Sequence, residues 1–412
     1  MRSWSPLGFI ARVRVTLGSD AAGIRQAFGA LLISSGGDLL AGLTLASIDD
    51  ALHKLPGLIV LIPAAIGMRG NIFGALGSRL GTAIHTGTFR LSARKETEVG
   101  QNLYASAALT LGVSLALAVL AKGVAGIFTQ GSTISLADFV VISVLGGVLS
   151  SAVVGVLTLF VASLSTRRGW DMDNVAAPLV TAAGDVVTLP ALYLATFMVG
   201  IQYVTVLVAF ATALVAVGAL IKAWQAKLPV LRRIVHESFP VLLVAGLVDV
   251  MAGLTVEKRL GEFLAYQALL VLVPPFLEDT GALGGILSSR LSSKLHLGII
   301  EPKARPQRAA RVDFIILVML AVPVFVLLAI STDVVSLVFG LSSPGAMTLI
   351  GVTLIGGLIA TFVATFVAYY GSIAAYRLGF DPDNHGIPLL TSTMDLVGAL
   401  SLVLALMVLN VT

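Results

Sequence analysis

Apolar residues come in long runs, separated by short polar breaks that are mostly basic. A hydrocarbon core about 30 Å thick takes about 20 consecutive apolar residues to cross as a helix, at about 1.5 Å per residue. Read against that length, the pattern predicts eleven membrane-spanning helices, near 26–48, 55–78, 103–121, 138–165, 176–198, 203–222, 239–256, 264–288, 313–332, 345–370 and 386–410. Val186 to Ile221 holds no Lys, Arg, Asp or Glu, and together with residues 176–185 it is long enough for two crossings. Gly200-Ile201-Gln202 marks the break between them. The expected fold class is an all-α integral membrane protein, with the lipid bilayer as its first partner.

The polar breaks set an orientation. If the spans alternate, 21 of the 26 Lys and Arg residues fall on one side. The other side holds only Lys54, Lys122, Lys258 and Arg259, and Arg69 lies inside the second span. Basic loops stay in the cytosol. The N-terminus is therefore expected to be cytosolic and the C-terminus extracellular, in the cytoplasmic membrane of the cell. Residues 1–25 carry Arg2, Arg12 and Arg14 among short apolar runs. They lack the uninterrupted core of a signal peptide and read as a basic amphipathic segment on the membrane surface.

The pattern is also written twice. At an offset of 211, Asp38-Leu39-Leu40-Ala41-Gly42-Leu43-Thr44 matches Asp249-Val250-Met251-Ala252-Gly253-Leu254-Thr255. Pro63 matches Pro274, Gly70 matches Gly281, and Ser78-Arg79-Leu80 matches Ser289-Arg290-Leu291. At an offset of 210, Gly146-Gly147 matches Gly356-Gly357, Pro178 matches Pro388, Thr181 matches Thr391, and Asp185 matches Asp395. Each copy has five spans: 26–200 is the first repeat, 201–236 a linker helix and cytosolic loop, and 237–412 the second repeat. Five is odd, so the extra sixth span restores the second copy to the orientation of the first. The repeats are expected to stand parallel about a pseudo-twofold axis along the membrane normal. Such a chain is already a pseudo-dimer as a monomer; a homodimer is the alternative.

Composition narrows the chemistry. The chain is 57% hydrophobic and 12% charged, with a mean hydropathy of +0.99, which no soluble fold of this size could bury. The absence of Cys excludes a disulfide scaffold, a Cys-ligated zinc or iron–sulfur site and a Cys nucleophile. No phosphate-loop, dinucleotide or metalloprotease fingerprint occurs. Topology accounts for the basic loops, so no nucleic-acid partner is expected.

Six acids lie inside the spans, clear of their ends: Asp38, Asp185, Asp249, Glu278, Asp279 and Asp395. A charge at the centre of a spanning helix costs about 2.5–3.5 kcal/mol on insertion scales. One Arg cannot offset six acids, so they are either protonated or neutralised by a cation. Oxygen ligands without thiols favour Mg²⁺, Ca²⁺, Na⁺ or H⁺. Asp185 and Asp395 are the sharpest pair, each seven residues past a repeat-matched Pro and sharing a helix face with Thr181 or Thr391 four residues earlier. Two carboxylates suit a partly hydrated Mg²⁺; the alternative is that each Asp pairs with polar groups of its own repeat. Asp38 and Asp249 read as pathway or coupling-ion residues, or as partners of nearby hydroxyls. Glu278 and Asp279 have no acidic match in the first repeat. They read either as a cation site or as a salt bridge to Arg69, which aligns with Thr280. Asn71 is the strong polar group of the glycine-rich second span. Asp171, Asp173, Asp381 and Asp383 read as helix caps, and His85 and His296 as solvated loop residues.

Pro63 to Thr82, with Gly67-Met68-Arg69-Gly70-Asn71 and then Gly77-Ser78-Arg79-Leu80, resembles the second-helix signature of the solute carrier 41 family and the related MgtE magnesium transporters. Asp173-Asn174…Pro178…Asp185 and Asp383-Asn384…Pro388…Asp395 resemble the MgtE fifth helix with its pore aspartate. The resemblance implies a Mg²⁺ transporter in which Asp185 and Asp395 are the central metal ligands, with Thr181 and Thr391 beside them on the pore wall. Na⁺ is a candidate coupling ion. This chain departs at Phe73, where the animal carriers have an acid, and at Ala282, which replaces the Asn of the second helix. With only 25 residues before the first span, no cytosolic N or CBS domain and no gating by one is expected.

The expected function is divalent-cation transport, Mg²⁺ foremost, along a path between the repeats. Asp185, Asp395, Thr181, Thr391, Asp38, Asp249, Asn71, Glu278 and Asp279 are the candidate metal residues. A Na⁺- or H⁺-coupled carrier of another cation or an organic solute is the alternative, and a non-transporting scaffold a further one. An intramembrane aspartyl protease is remote: Pro190-Ala191-Leu192 follows Asp185 on the same helix rather than on a separate one. No enzyme is expected.

Overall fold

A computed structural model of the chain describes the backbone of residues 6–128, 133–168, 172–201, 203–379 and 386–411, and the side chains within these from residue 25 on, apart from 168–178. The described residues are helices joined by short turns, with no strand among them. Helices suit a chain in lipid because they satisfy every backbone polar group internally.

In order, the helices are α1 (Pro6–Ser47), α2 (Asp49–Lys54), α3 (Leu58–His85), α4 (Glu98–Phe128), α5 (Leu136–Arg168), α6 (Met172–Thr196), α7 (Val204–Trp224), α8 (Pro229–Glu257), α9 (Leu260–Ala265), α10 (Gln267–His296), α11 (Arg308–Val338), α12 (Ala346–Leu378) and α13 (Ile387–Val408). Eleven are long and apolar enough to cross a membrane, one for each predicted span. Most run further than the apolar pattern, because helical winding continues into the polar ends. The basic N-terminal segment and the first span form one helix, α1; side chains before Arg25 lie outside the described residues. The caps at Asp171, Asp173, Asp381 and Asp383 also lie outside them.

The short helices α2 and α9 turn the chain from α1 into α3 and from α8 into α10, and their bounds differ by 211. Neighbour relations follow the same offset. α3 packs on α6, and α10 on α13; α4 packs on α5, and α11 on α12. The first helix of each half crosses to the other half: α1 lies on α10 and α8 lies on α3. α3 and α10 are the most enclosed spans, with 67% and 78% of their apolar windows buried, against 17% for α7. The linker α7 therefore stands at the periphery, against α4 and α5.

The crossings are close because of glycine. A Cβ at Gly42 would fall 2.0 Å from the carbonyl oxygen of Val271, and one at Gly253 would fall 2.4 Å from that of Val60. These contacts are reciprocal, since Val60 and Val271 are themselves offset by 211. Only glycine allows backbones this near. At one end of the crossings, Gln267 Nε2 donates to Asp49 Oδ2 at 2.9 Å, and the Gly57 amide donates to Glu257 Oε1 at 3.2 Å.

Asp313, at the start of its predicted span, is buried on α11. It takes Arg290 at 2.9 Å and Lys294 at 2.6 Å, both from α10. The matched contact in the first half has a neutral acceptor: Arg79 Nε donates to Asn102 Oδ1 at 2.7 Å.

Candidate functional site

Between α3 and α10, helices from both halves enclose a cavity of about 30 Å³. Its lining repeats the offset. Ile62, Pro63 and Ile66 face it from α3, and Val273, Pro274 and Leu277 from α10. Asp185 enters from α6 and Asp395 from α13, while Asp38 enters from α1. The symmetry breaks at two places: Gly67 on α3 is matched by Glu278 on α10, and Asp38 lines the cavity while its match Asp249 does not.

Proline helps to aim these residues. Pro63 lies within α3, and Pro274 and Pro275 within α10. A proline inside a helix cannot donate its backbone hydrogen bond and bends the helix locally. Gly67 is the complement: a Cβ there would lie 3.1 Å from Asp249 Oδ2 and 3.6 Å from Asp395 Oδ2. The missing side chain makes room for two carboxylates of the second half.

The acids approach one another in two pairs, each inside one half. Asp38 lies beside Asp185, and Asp249 beside Asp395. Two ionised carboxylates cannot bond each other, so each pair requires a proton or a cation between its oxygens. Both oxygens of Asp38, both of Asp249 and Oδ2 of Asp185 are buried without a hydrogen-bond partner. Orphaned buried oxygens at this density are costly, and a bound ion would relieve them. Among the described residues, no three acids or histidines converge tightly enough to hold one ion unaided. The arrangement is a set of carboxylate pairs around a small space, in which water would complete a coordination shell.

The other candidates fall outside the cavity. Asp279, one residue past Glu278, turns to α1 and accepts a hydrogen bond from Ser35 Oγ at 2.8 Å. Thr391 lies against Gly281, and its hydroxyl donates back to the helix at Ile387 O or Pro388 O. Thr181 lies against Gly70. Asn71 sits one turn past Gly67, with its Nδ2 buried and unpartnered.

Of the two readings of Glu278 and Asp279, the salt bridge to Arg69 does not form. Arg69 is buried, and it donates to Ser150 Oγ at 3.0 Å and Ser114 Oγ at 3.3 Å, toward α4 and α5. Among the described residues no carboxylate pairs with it. The offset predicts where the backbone of Arg69 stands, but a side chain this long reaches whichever wall carries hydroxyls. Sequence reasoning also missed the within-half acid pairs and the room left by Gly67. The repeat-matched position of Asp38 beside Asp185 was the available signal for the first.

Known proteins bear on this geometry. The sequence pattern of MgtE, described as a divalent cation transporter, matches residues 62–195 and again 273–405. This chain belongs to the MgtE family. The two matches of the MgtE pattern begin 211 residues apart and end 210 apart, the offsets seen along the sequence. The chain is also 25% identical over 394 residues to rat solute carrier family 41 member 3, covering 89% of this chain and 83% of that protein. It is 26% identical over 427 residues to human solute carrier family 41 member 2, covering 96% of this chain and 72% of that protein. A crystal structure of the eukaryotic MATE transporter AtDTX14 aligns over 95% of this chain and 96% of that one, at 11% identity and a TM-score of 0.31, too loose a likeness to inform the fold. Membership in MgtE makes this chain a multi-pass membrane transporter of divalent cations and not an enzyme.

Proposed function

We propose that this MgtE-family chain carries Mg²⁺ across the cytoplasmic membrane along a path between its halves, with Asp185 and Asp395 as the principal ligands. The observation that carries the reading is the cavity, which repeat-matched carboxylates enter from both halves. Asp38 adds a carboxylate from α1 and Glu278 one from α10, while Asp249 stands behind Asp395. Thr181, Thr391 and Asn71 serve the path beyond the cavity.

Mg²⁺ fits this donor set because it accepts one or two carboxylates and keeps several waters. A cavity of about 30 Å³ is roughly the share of a single water molecule in the liquid, too small for a hexahydrated ion. The ion therefore sheds part of its shell here, and carboxylate oxygens replace the lost waters. The two halves stand as parallel repeats about an axis along the membrane normal, with the N-terminus in the cytosol. The single chain supplies both halves of the site.

The test is Mg²⁺ flux into proteoliposomes, with and without a Na⁺ gradient. Wild-type protein should take up Mg²⁺, and Asp185→Asn and Asp395→Asn should each cut uptake at least tenfold. Wild-type flux in either variant rejects the assignment of that ligand. Flux that requires the Na⁺ gradient makes Na⁺ the coupling ion.

A further inference from the structure

A second cavity lies far from the acids in character. A groove of about 1080 Å³ runs between α11 and α12, at the end where the 297–307 loop joins α10 to α11. Its walls are apolar and aromatic, with Phe314 and Val318 on one side and Leu358, Phe362 and Phe366 on the other. Arg311 is the one charged side chain in the lining. The loop at its mouth is strapped to α12, where Tyr369 Oη donates to Lys303 O at 2.7 Å and Tyr370 Oη to Ala304 O at 3.1 Å. That loop and the helix start add Lys303, Arg305 and Arg308.

The matched groove in the first half is a natural comparison. Leu103, Ala107, Val148 and Ala152 occupy the positions of Phe314, Val318, Leu358 and Phe362. That groove is only about 350 Å³, and no charged residue lines it. Phe73 plugs it, with a ring carbon 3.2 Å from where a Cβ of Gly155 would be. The residue matched to Phe73 is Gly284, which leaves the second groove without its plug, and the residue matched to Arg311 is Gly100. The second half alone combines volume with a positive charge.

We infer that the α11–α12 groove binds one anionic glycerophospholipid, its acyl chains between the aromatic walls and its phosphate on Arg311. The volume stands just above the ~300–1,000 Å³ typical of ligand pockets, as a two-chain lipid requires. Arginine matches phosphate geometry with paired donors, and tyrosines sit at headgroup level in membrane proteins. Basic residues at a membrane surface favour anionic over zwitterionic lipids.

The test is native mass spectrometry of detergent-purified protein after exchange into mixed micelles of phosphatidylglycerol and phosphatidylcholine. Wild-type protein should retain one phosphatidylglycerol, at least fivefold in preference to phosphatidylcholine. Arg311→Gln should abolish that preference, and Thr365→Trp, which fills the groove, should remove the bound lipid. Arg90→Gln, a basic change elsewhere, should leave retention unchanged. Equal retention of the two lipids by wild type, or undiminished phosphatidylglycerol on Arg311→Gln, overturns the inference. The readout is independent of cation flux, so it stands or falls separately from the proposed transport.

Discussion

Gly42→Ala tests the frame on which the cavity depends. The added Cβ would lie 2.0 Å from the carbonyl oxygen of Val271, and non-bonded contacts under 3.0 Å force a shift, so α1 must move off α10 by about 1 Å. Neither partner can yield alone, because the obstruction is backbone on a buried helix. Overpacking of this kind costs about 1–3 kcal/mol. Asp38 stands one turn from Gly42 on the same helix, so the shift carries its carboxyl away from Asp185 and from the cavity. Gly253→Ala repeats the experiment in the other half, with Asp249 displaced instead. The crowding there is slightly milder, at 2.4 Å. Thermal unfolding in detergent and Mg²⁺ flux in proteoliposomes read the two consequences. Both variants should unfold earlier and lose flux about tenfold, Gly42→Ala the more severely. Gly29→Ala and Gly74→Ala are internal controls, since nothing lies within 4 Å of a Cβ at either position. Alanine is the better helix former by about 1 kcal/mol, so the controls should hold or gain stability. If Gly42→Ala behaves like Gly29→Ala, the close crossing is wrong, and with it the route by which α1 delivers Asp38.

Two further outcomes follow from the same geometry. Protons and Mg²⁺ compete for one set of carboxylates, so metal affinity measured by isothermal titration should weaken as pH falls from 8 to 5, with protons released on binding at the lower pH; flat affinity across that range would remove the carboxylates from the site. Asp313→Ala removes the shared charged partner of Arg290 and Lys294 and should cost about 3 kcal/mol or more, while Asn102→Ala in the first half removes two hydrogen bonds, one from Arg79 and one to the Glu98 carbonyl, and should cost about 2 kcal/mol, a difference that equal shifts in unfolding midpoint would contradict.

The spans were legible because lipid imposes one rule everywhere: about 20 apolar residues per crossing, with basic residues at one side. Each half of that rule checks the other. The duplication was legible because Pro63 and Pro274, or Asp185 and Asp395, hold identical places in matched helices. The offset then carried further than the sequence alone showed, down to the reciprocal contacts of Gly42 with Val271 and Gly253 with Val60. Neighbours were the illegible part. Periodicity states which face a residue occupies and leaves open which helix covers that face. Asp185 could be assigned to the interior, yet Asp38 as its immediate partner depends on α1 crossing into the other half. Arg69 shows the same limit. Its backbone register matched Thr280, but Ser114 and Ser150 decided its direction, and their matches in the second half are Phe325 and Ala360, which offer no hydroxyl.

Those mismatches determine what charge reaches the cavity. A duplicated scaffold keeps its shape while single positions diverge, and the diverged positions that carry charge include four near or beneath the site: Arg69 against Thr280, Glu278 against Gly67, Asp279 against Met68, and Asp313 against Asn102. Three are settled locally. Arg69 is held by serines facing α4 and α5, Asp279 takes a hydrogen bond from Ser35, and Asp313 takes Arg290 and Lys294. Only Glu278 enters the cavity. Asp38 and Asp185 lie within its electrostatic reach, and so does Asp395. Glu278 therefore adds negative field to both principal ligands at once. A cation resting between the halves is held in the field of three carboxylates rather than two, and losing Glu278 should weaken its hold. Dose–response curves for Mg²⁺ flux would show a rise in KM for Glu278→Gln, smaller than that for Asp185→Asn or Asp395→Asn. An unchanged KM for Glu278→Gln would mean that Glu278 does not contribute to the site.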